Sequence, residues 1–411
     1  MAMCGSAKRT HRLQFRTVLW LIVLLYICTF CVILPLSCWN RPFSRFYLKS
    51  SRTVEGAILN DVTQGQRADD YFERLDSESS LAFHTKPLVQ RQQNPPKYAI
   101  GVITVKRKSS HYKKYDPRYL TRVVAEFDRL LKEVERRDVV LLVCNAESVP
   151  GHHKEAERLA KYVHVVSKRG HDPHPSDDAR EQEKRDYVFC MSQMETFNAE
   201  YTILVQDDAL PYPQFLASLD RLLDTRVENK MIRGRLVPNP ETWAAVKFYF
   251  PEKWQGYGNE AFLITELLSA AIFGGGILHG LLRLLVGSDL NWIQTFCIFT
   301  LLCIFCGALM FVIGRPYLLM LRRLSVDLYS MRGAPECCIP AVLYRTQSLP
   351  RIREHLGGIT CSNKRPLDIE ISRCLHSVGV RQYLVMPNLF NHIGMVSSLH
   401  NDVNSPHSFL G

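Results

Sequence analysis

Two apolar runs late in the chain, Phe262–Val286 and Trp292–Ile313, are separated by only five residues, Gly287-Ser288-Asp289-Leu290-Asn291. In hydrocarbon every backbone N–H and C=O must find its partner within the segment, so runs of this length are helices. Turn residues in so short a link make the pair an antiparallel hairpin that enters and leaves the membrane on one side. The chain before residue 262 and the chain after residue 314 therefore share a compartment. The second run has no charged residue, whereas the first carries Glu266, His279 and Arg283. Its Ala270-x-x-x-Gly274 and Gly276-x-x-x-Gly280 spacings put small residues on one face, where the partner helix can approach closely.

A third apolar run, Thr17–Asn40, lies between Arg16 and Arg41 and comes after Lys8, Arg9, His11, Arg12 and Arg16. The basic flank predicts a cytoplasmic N-terminus. Ser37-Cys38-Trp39 is a poor small-residue cleavage site, so the run reads as an uncleaved signal-anchor. Arg315, Arg322 and Arg323 lie beyond the predicted lumenal end of the last span, against the usual bias of basic residues. The hairpin constraint outweighs this, because a five-residue loop carries little orienting signal.

The net charge of +11 is spread along the chain without a long Lys/Arg tract or aromatic-basic interleaving, which excludes a nucleic-acid partner. Of 13 cysteines, six lie outside the tail and the apolar runs: Cys144, Cys190, Cys337, Cys338, Cys361 and Cys374. An even number suits disulfides in an oxidising lumen, with their pairing left open. No Asn-x-Ser/Thr acceptor occurs.

After the anchor, residues 41–96 are polar. Gln64–Asp70 and Gln90–Pro96 read as the least structured parts, Ala68–Phe83 has helical spacing, and Pro95-Pro96 closes the segment. Tyr98–Val105 then reads as a strand, Tyr119–Arg136 as an amphipathic helix, Asp138–Cys144 as a buried strand, His152–Tyr162 as a helix and Val163–Val166 as a strand. A helix from about Ser176 to Phe197 leads into the strand of Tyr201-Thr202-Ile203-Leu204-Val205-Gln206-Asp207-Asp208. This alternation is that of a parallel α/β sheet. Such folds place ligands at the carboxyl ends of their strands, and the adjacent acids suit a hard divalent cation that completes its shell with phosphate oxygens. No G-x-G-x-x-G comes after the first strand, which argues against dinucleotide binding.

Glu181–Asp208 (EQEKRDYVFCMSQMETFNAEYTILVQDD) resembles the acid-motif segment of the N-acetylglucosaminyltransferase IV branch, and Pro387–Leu399 (PNLFNHIGMVSSL) resembles that branch's closing signature. The two segments, in this order and separated by a membrane hairpin, resemble the family of Golgi transferases that add N-acetylgalactosamine to the mannose core of GPI anchors, the post-GPI-attachment factors. The resemblance implies a GT-A-type glycosyltransferase domain of α/β class, split by an inserted transmembrane hairpin and preceded by a transmembrane anchor. The expected order is a cytoplasmic tail (1–16), signal-anchor (17–40), lumenal stem (41–96), first part of the catalytic domain (97–261), transmembrane helix (262–286), cytoplasmic loop (287–291), transmembrane helix (292–314) and second part of the catalytic domain (315–411). It also implies UDP-GalNAc as donor, Mn2+ or another divalent cation, GPI-anchored proteins as acceptors, and the Golgi membrane as location.

On that resemblance Asp208 is the expected metal ligand, Asp207 a second ligand or a ribose contact, and His392 the C-terminal ligand. Gln206 departs from the strict Asp-x-Asp pattern and offers a ribose hydrogen bond. Thr104, Val105 and Arg107, with Lys106, are expected at uracil and phosphate, and Ser397 and Ser398 at phosphate. In an inverting reaction Asp368, with Glu370 next, is the expected base that deprotonates the acceptor hydroxyl. The aromatic stretch Phe248–Glu260 suits either sugar stacking or a membrane interface. Two other readings remain at this level: an N-acetylglucosaminyltransferase acting on N-glycans, and a non-catalytic membrane scaffold or transporter in which Glu266, His279 and Arg283 form an intramembrane polar site.

Overall fold

A computed structural model describes residues 14–77, 95–107, 115–134, 136, 138–147, 149, 151–168, 178–232, 235–239, 242–286 and 290–395. The chain divides into two compact units, one from residues up to 50 with 252–321, the other from residues 51–251 with those from 322 onward.

The first unit holds three helices long and apolar enough to cross a membrane, Phe15–Cys38, Ala261–Leu284 and Trp292–Ile313. The last two pack against each other where side chains are smallest. A Cβ added at Gly275 would sit 2.7 Å from the backbone nitrogen of Cys303, and one at Gly274 would sit 3.1 Å from Cys306 Sγ. Gly280 has open space around it and Gly276 meets only the Phe299 ring at 3.9 Å, so the close approach bears out the Ala270–Gly274 spacing and not the Gly276–Gly280 one. The N-terminal helix buries Val18 and Ile22 with Ile298 and Leu302, and Tyr26 donates to the Leu301 carbonyl at 2.7 Å. Glu266 is paired with Arg315 at 2.8 Å, and Arg315 also donates to the Gln255 carbonyl at 3.1 Å. Arg283 donates to Thr295 Oγ1 at 2.9 Å. Seventeen residues of helix, about 25 Å, separate Glu266 from Arg283, so the two do not belong to one polar site.

The second unit is built on one eight-stranded sheet. In chain order its strands are β1 (Tyr98–Thr104), β2 (Val139–Asn145), β3 (His164–Ser167), β4 (Tyr201–Gln206), β8 (Trp243–Lys247), β9 (Ser330–Gly333), β10 (Ala341–Arg345) and β11 (Arg381–Met386). Two-stranded ladders are formed by β5 (Ala209–Pro211) with β12 (Phe390–His392) and by β6 (Asn229–Ile232) with β7 (Arg235–Pro238). The sheet order is β3-β2-β1-β4-β10-β8-β11-β9.

The pairs β3-β2, β2-β1 and β1-β4 are parallel, as the strand-helix alternation predicts. Beyond β4 the sheet turns mixed, because β10 runs antiparallel to both β4 and β8. Strands from both sides of the apolar helices alternate in this half: β8 precedes them in sequence and its neighbours β10 and β11 come after them. The near-continuous apolar runs of β1, β2 and β4 are buried on both faces, as central strands of a covered sheet must be. One layer includes Phe127, Leu131 and Phe215, the other Tyr187, Met191 and Ile352. Cys144 in β2 is disulfide-bonded to Cys190 in the Ala179–Glu195 helix, with 5.5 Å between their Cα atoms.

The polar segment after the anchor departs most from expectation. Ser51–Ser77 is one continuous helix, so Gln64–Asp70 is helical rather than unstructured. Ala68, Phe72 and Leu75 join the main core, and Asp61 pairs with Arg122. This helix is thus a layer of the α/β unit. The remainder of the expected Ala68–Phe83 helix, and Gln90–Asn94, lie outside the described residues. In the aromatic stretch, Phe248, Tyr249 and Phe250 are buried, with Phe248 stacked on Phe390 at 5.8 Å between ring centroids. Those three rings are core. Trp254, in the unit of the three apolar helices, stays 42% exposed.

Candidate active site

The site forms where β1 and β4 end side by side. Ile103 pairs with Gln206, and the Asp207 N–H continues the ladder to the Ile103 carbonyl at 3.1 Å. Thr104 therefore stands abreast of Asp207, and its hydroxyl donates to Asp207 Oδ2 at 2.7 Å. The same hydroxyl is 2.7 Å from His153 Nε2. Having one proton, which goes to Asp207, Thr104 must accept from His153, so that ring carries its proton on Nε2. Burial holds the His153 pKa down against the pull of Asp207, which keeps the ring neutral at neutral pH.

Arg107, three residues past the strand, pairs with both acids: with Asp207, and with Asp208 Oδ2 at 2.9 Å. Its guanidinium lies 4.8 Å from the centre of the Tyr119 ring, a cation–π position. Burial opposes the charge on Asp208, but Arg107 and His392 outweigh it and hold that carboxyl well below the usual range. The carboxylates in turn hold Arg107 firmly protonated despite its burial.

The closing motif reaches this point through the short antiparallel ladder. Phe390, Asn391 and His392 pair with Pro211, Leu210 and Ala209, and the Ile393 N–H donates to the Asp208 carbonyl at 2.8 Å. His392 Nε2 is thereby 3.3 Å from Asp208 Oδ2. A Cβ at Gly394 would overlap Asp208 Oδ2 and lie 2.8 Å from its Cγ, so only glycine lets the carboxylate lie there. The Met395 N–H donates to Tyr119 Oη at 2.8 Å, tying the same segment to the ring beneath Arg107.

A pocket of about 440 Å³ opens beside these groups, lined among others by Val105, Arg107, Tyr119, His153, Glu155 and Asp207. That volume is within the range of small-molecule sites. Glu155 accepts from the N–H and hydroxyl of Thr121, at 2.8 and 2.7 Å, while burial raises its pKa.

Among the described residues no three His, Cys, Asp or Glu side chains converge as a metal cage. A hard cation bound with a diphosphate needs only one or two protein carboxylates, and Asp208 fits that share: its Oδ1 is buried without a hydrogen-bond partner, and a nitrogen donor stands beside its other oxygen. Asp207 fits less well, since Thr104 and Arg107 already engage its two oxygens.

Asp368 lies in the first turn of the Leu367–Ser377 helix. Its Oδ2 accepts from the Cys338 N–H at 2.8 Å, and the Pro340 carbonyl, two residues on, accepts from the Gln206 N–H at 2.7 Å. Asp368 is therefore linked through this loop to the edge where the acid motif ends. Lys247, at the carboxyl end of β8, donates to the carbonyls of Pro335, Glu336 and Cys337, each at 2.8 Å, and burial pushes its pKa down to about 8. Glu370 is placed differently: almost fully buried, it pairs with Arg365 at 3.0 Å and Arg373 at 2.7 Å, which hold its carboxyl below the usual range against burial. Ser397 and Ser398 lie outside the described residues.

Sequence reasoning missed His153, Tyr119, Glu155 and Lys247. Each sits in an ordinary helix or strand pattern, and only tertiary contacts give them a role. Glu183 was also missed: burial, reinforced by Asp368, raises its pKa to about 7. Gly394 carried a signal in its motif, but its use, room for a carboxylate, needed the structure. The family described as GPI-N-acetylgalactosamine transferase PGAP4 matches residues 98–391. That span begins at β1, ends within β12 and takes in every strand of the large sheet. The chain belongs to the GPI-N-acetylgalactosamine transferase family.

Proposed function

We propose that this chain transfers N-acetylgalactosamine from UDP-GalNAc to the mannose core of GPI anchors on proteins, with inversion at the sugar and with help from a divalent cation, in the Golgi lumen. In this reading the catalytic domain is of GT-A type and is divided by a membrane hairpin. The observation that carries it is the β5–β12 ladder, which sets Asp208 and His392 together beside Arg107 and a ligand-sized pocket at the strand ends.

The pocket beside β1 takes the nucleotide, with Val105 and Arg107 on its wall. Asp208 and His392 would hold the cation, Mn2+ in the family reading. When bound, such an ion neutralises charge that builds on the departing diphosphate. Arg107 serves the same end from the protein side, as a fixed cation that costs little reorganisation. Thr104 and His153 keep Asp207 oriented, and Gln206 is within the strand end that would meet the ribose. Asp368 takes the proton of the mannose hydroxyl as its oxygen bonds to the anomeric carbon and the bond to UDP breaks. Glu370 serves to hold its helix through Arg365 and Arg373. The apolar helices keep the enzyme at the bilayer, where the acceptor's own lipid holds the glycan, and so reduce the orientational search.

The test is incubation of purified protein with UDP-GalNAc, UDP-GlcNAc and a GPI-glycan acceptor, with and without divalent metal. Transfer from UDP-GalNAc alone, lost on chelation, is the expected result. Transfer of N-acetylglucosamine to an N-glycan would replace this reading with the N-acetylglucosaminyltransferase one. The scaffold reading is disfavoured by the separate pairings of Glu266 and Arg283.

A further inference from the structure

The loop that carries Asp368's hydrogen-bond donor also contains two consecutive cysteines, Cys337 and Cys338. Their sulfurs are 2.8 Å apart, well inside ordinary contact between two sulfur atoms. Cys338 has a φ of 74°, a left-handed conformation that residues other than glycine seldom adopt. The loop is fixed on both sides, by the buried Lys247 ammonium under its carbonyls and by the Cys338 N–H on Asp368.

Consecutive Cα atoms stand closer than the usual range for disulfide partners. An adjacent pair therefore closes only where the backbone has already left its ordinary conformations, as it has at Cys338. The same unit contains the Cys144–Cys190 disulfide, both residues fully buried, and structural disulfides belong to oxidising compartments. The Cys337 thiol is held below its usual pKa by its hydrogen bond from Cys338 and, against burial, by the nearby Lys247 charge. Thiolate is the form that enters thiol–disulfide exchange.

We propose that Cys337 and Cys338 form a vicinal disulfide in the folded protein, and that this bond fixes the backbone N–H that positions Asp368. Cys337 thiolate attacks one sulfur of an incoming disulfide oxidant and displaces a thiol. Cys338 then loses its proton and attacks the Cys337 sulfur, displacing the second thiol. Two S–H bonds of the protein give way to one S–S bond, and the oxidant leaves as two thiols that carry off both protons and both electrons. The positioning role rests on the reading of Asp368 as base; the bond itself does not.

The test uses full-length protein in detergent, alkylated without reductant, then digested and weighed. The peptide spanning both cysteines is expected unalkylated and lighter by two hydrogens than the dithiol, taking two alkyl groups only after reduction. Two alkyl groups before reduction, in a sample whose Cys144–Cys190 bond is closed, would overturn the proposal, as would a cross-link from either cysteine to Cys361 or Cys374. This readout does not depend on activity, so failure of the bond and failure of the transferase reading are told apart. For positioning, mild reductant is expected to lower kcat several-fold with the KM for UDP-sugar unchanged, reversibly on reoxidation. The doubly substituted Cys337→Ser, Cys338→Ser chain should not respond to it. A wild-type chain whose kcat is unmoved while mass shows the pair reduced would overturn the positioning role.

Discussion

Asp208 sits in a buried place that tolerates its charge only because Arg107 and His392 face it. Asp208→Asn keeps the shape and removes the charge, while Arg107 retains Asp207 as partner. Transfer should fall by about 100-fold or more with a normal melting temperature, as for loss of one preorganised electrostatic group. Gly394→Ala probes the same carboxylate sterically, since the added methyl would occupy the place of Asp208 Oδ2. It should weaken divalent-metal affinity, read by titration in the presence of UDP, more than it lowers the melting temperature. Asp186 shows the opposite electrostatics. Burial raises its carboxyl from 3.8 to about 7, against Lys168 and a hydrogen bond from Gln182. With the folded pKa above the unfolded one, its contribution is fully present below the unfolded value and is lost as pH rises toward 7. Asp186→Asn should flatten the melting-temperature profile across that window. At pH above 7 it should stabilise the α/β unit by on the order of 1–3 kcal/mol.

At the level of elements, the hairpin and the short ladder illustrate two ways a local pattern acquires meaning. The close packing of the apolar helices runs through Gly274 and Gly275, against Cys306 and Cys303. Gly275→Leu forces the helices apart and should cost about 1–3 kcal/mol, the usual range for overpacking, seen as a lower melting temperature in detergent. Gly280→Leu, in open space, is the matched control and should leave it unchanged. The basic residues that defy the usual sidedness bias have structural uses: Arg315 pairs with Glu266, and Arg323 lies 3.4 Å from the centre of the Tyr212 ring and donates to the Asn388 carbonyl. Element identity was legible wherever hydrophobic period was strong, as in β1, β2, β4 and the three apolar helices. The Ser51–Ser77 helix was only partly legible, because its polar face is long and its buried stripe is thin.

For the whole molecule, the sheet interleaves strands from both sides of the apolar helices, so the α/β unit needs both halves of the chain. Replacing residues 262–313 with a soluble linker should leave a folded protein that transfers sugar to a free GPI-glycan. Transfer to GPI-anchored proteins in cells should drop, and an undiminished level there would remove the surface-tethering argument.

The sequence by itself determined three apolar spans and the α/β alternation up to the acid motif, because hydrophobic period and local turn chemistry act over a few residues; the kinship of two distant motifs rested on their resemblance to a known family. Asp207 and Asp208 stood out as paired acids at a strand end, and His392 was singled out by the resemblance; the structure brings Asp208 and His392 together. Only the tertiary structure decided that β10 enters antiparallel beside β4, that Arg107 serves both acids, that Glu370 is held by two arginines while Asp368 meets the Cys338 N–H, and that Cys144 pairs with Cys190. These are pairings between residues far apart in the chain, and no local pattern encodes which of many compatible partners a side chain will meet.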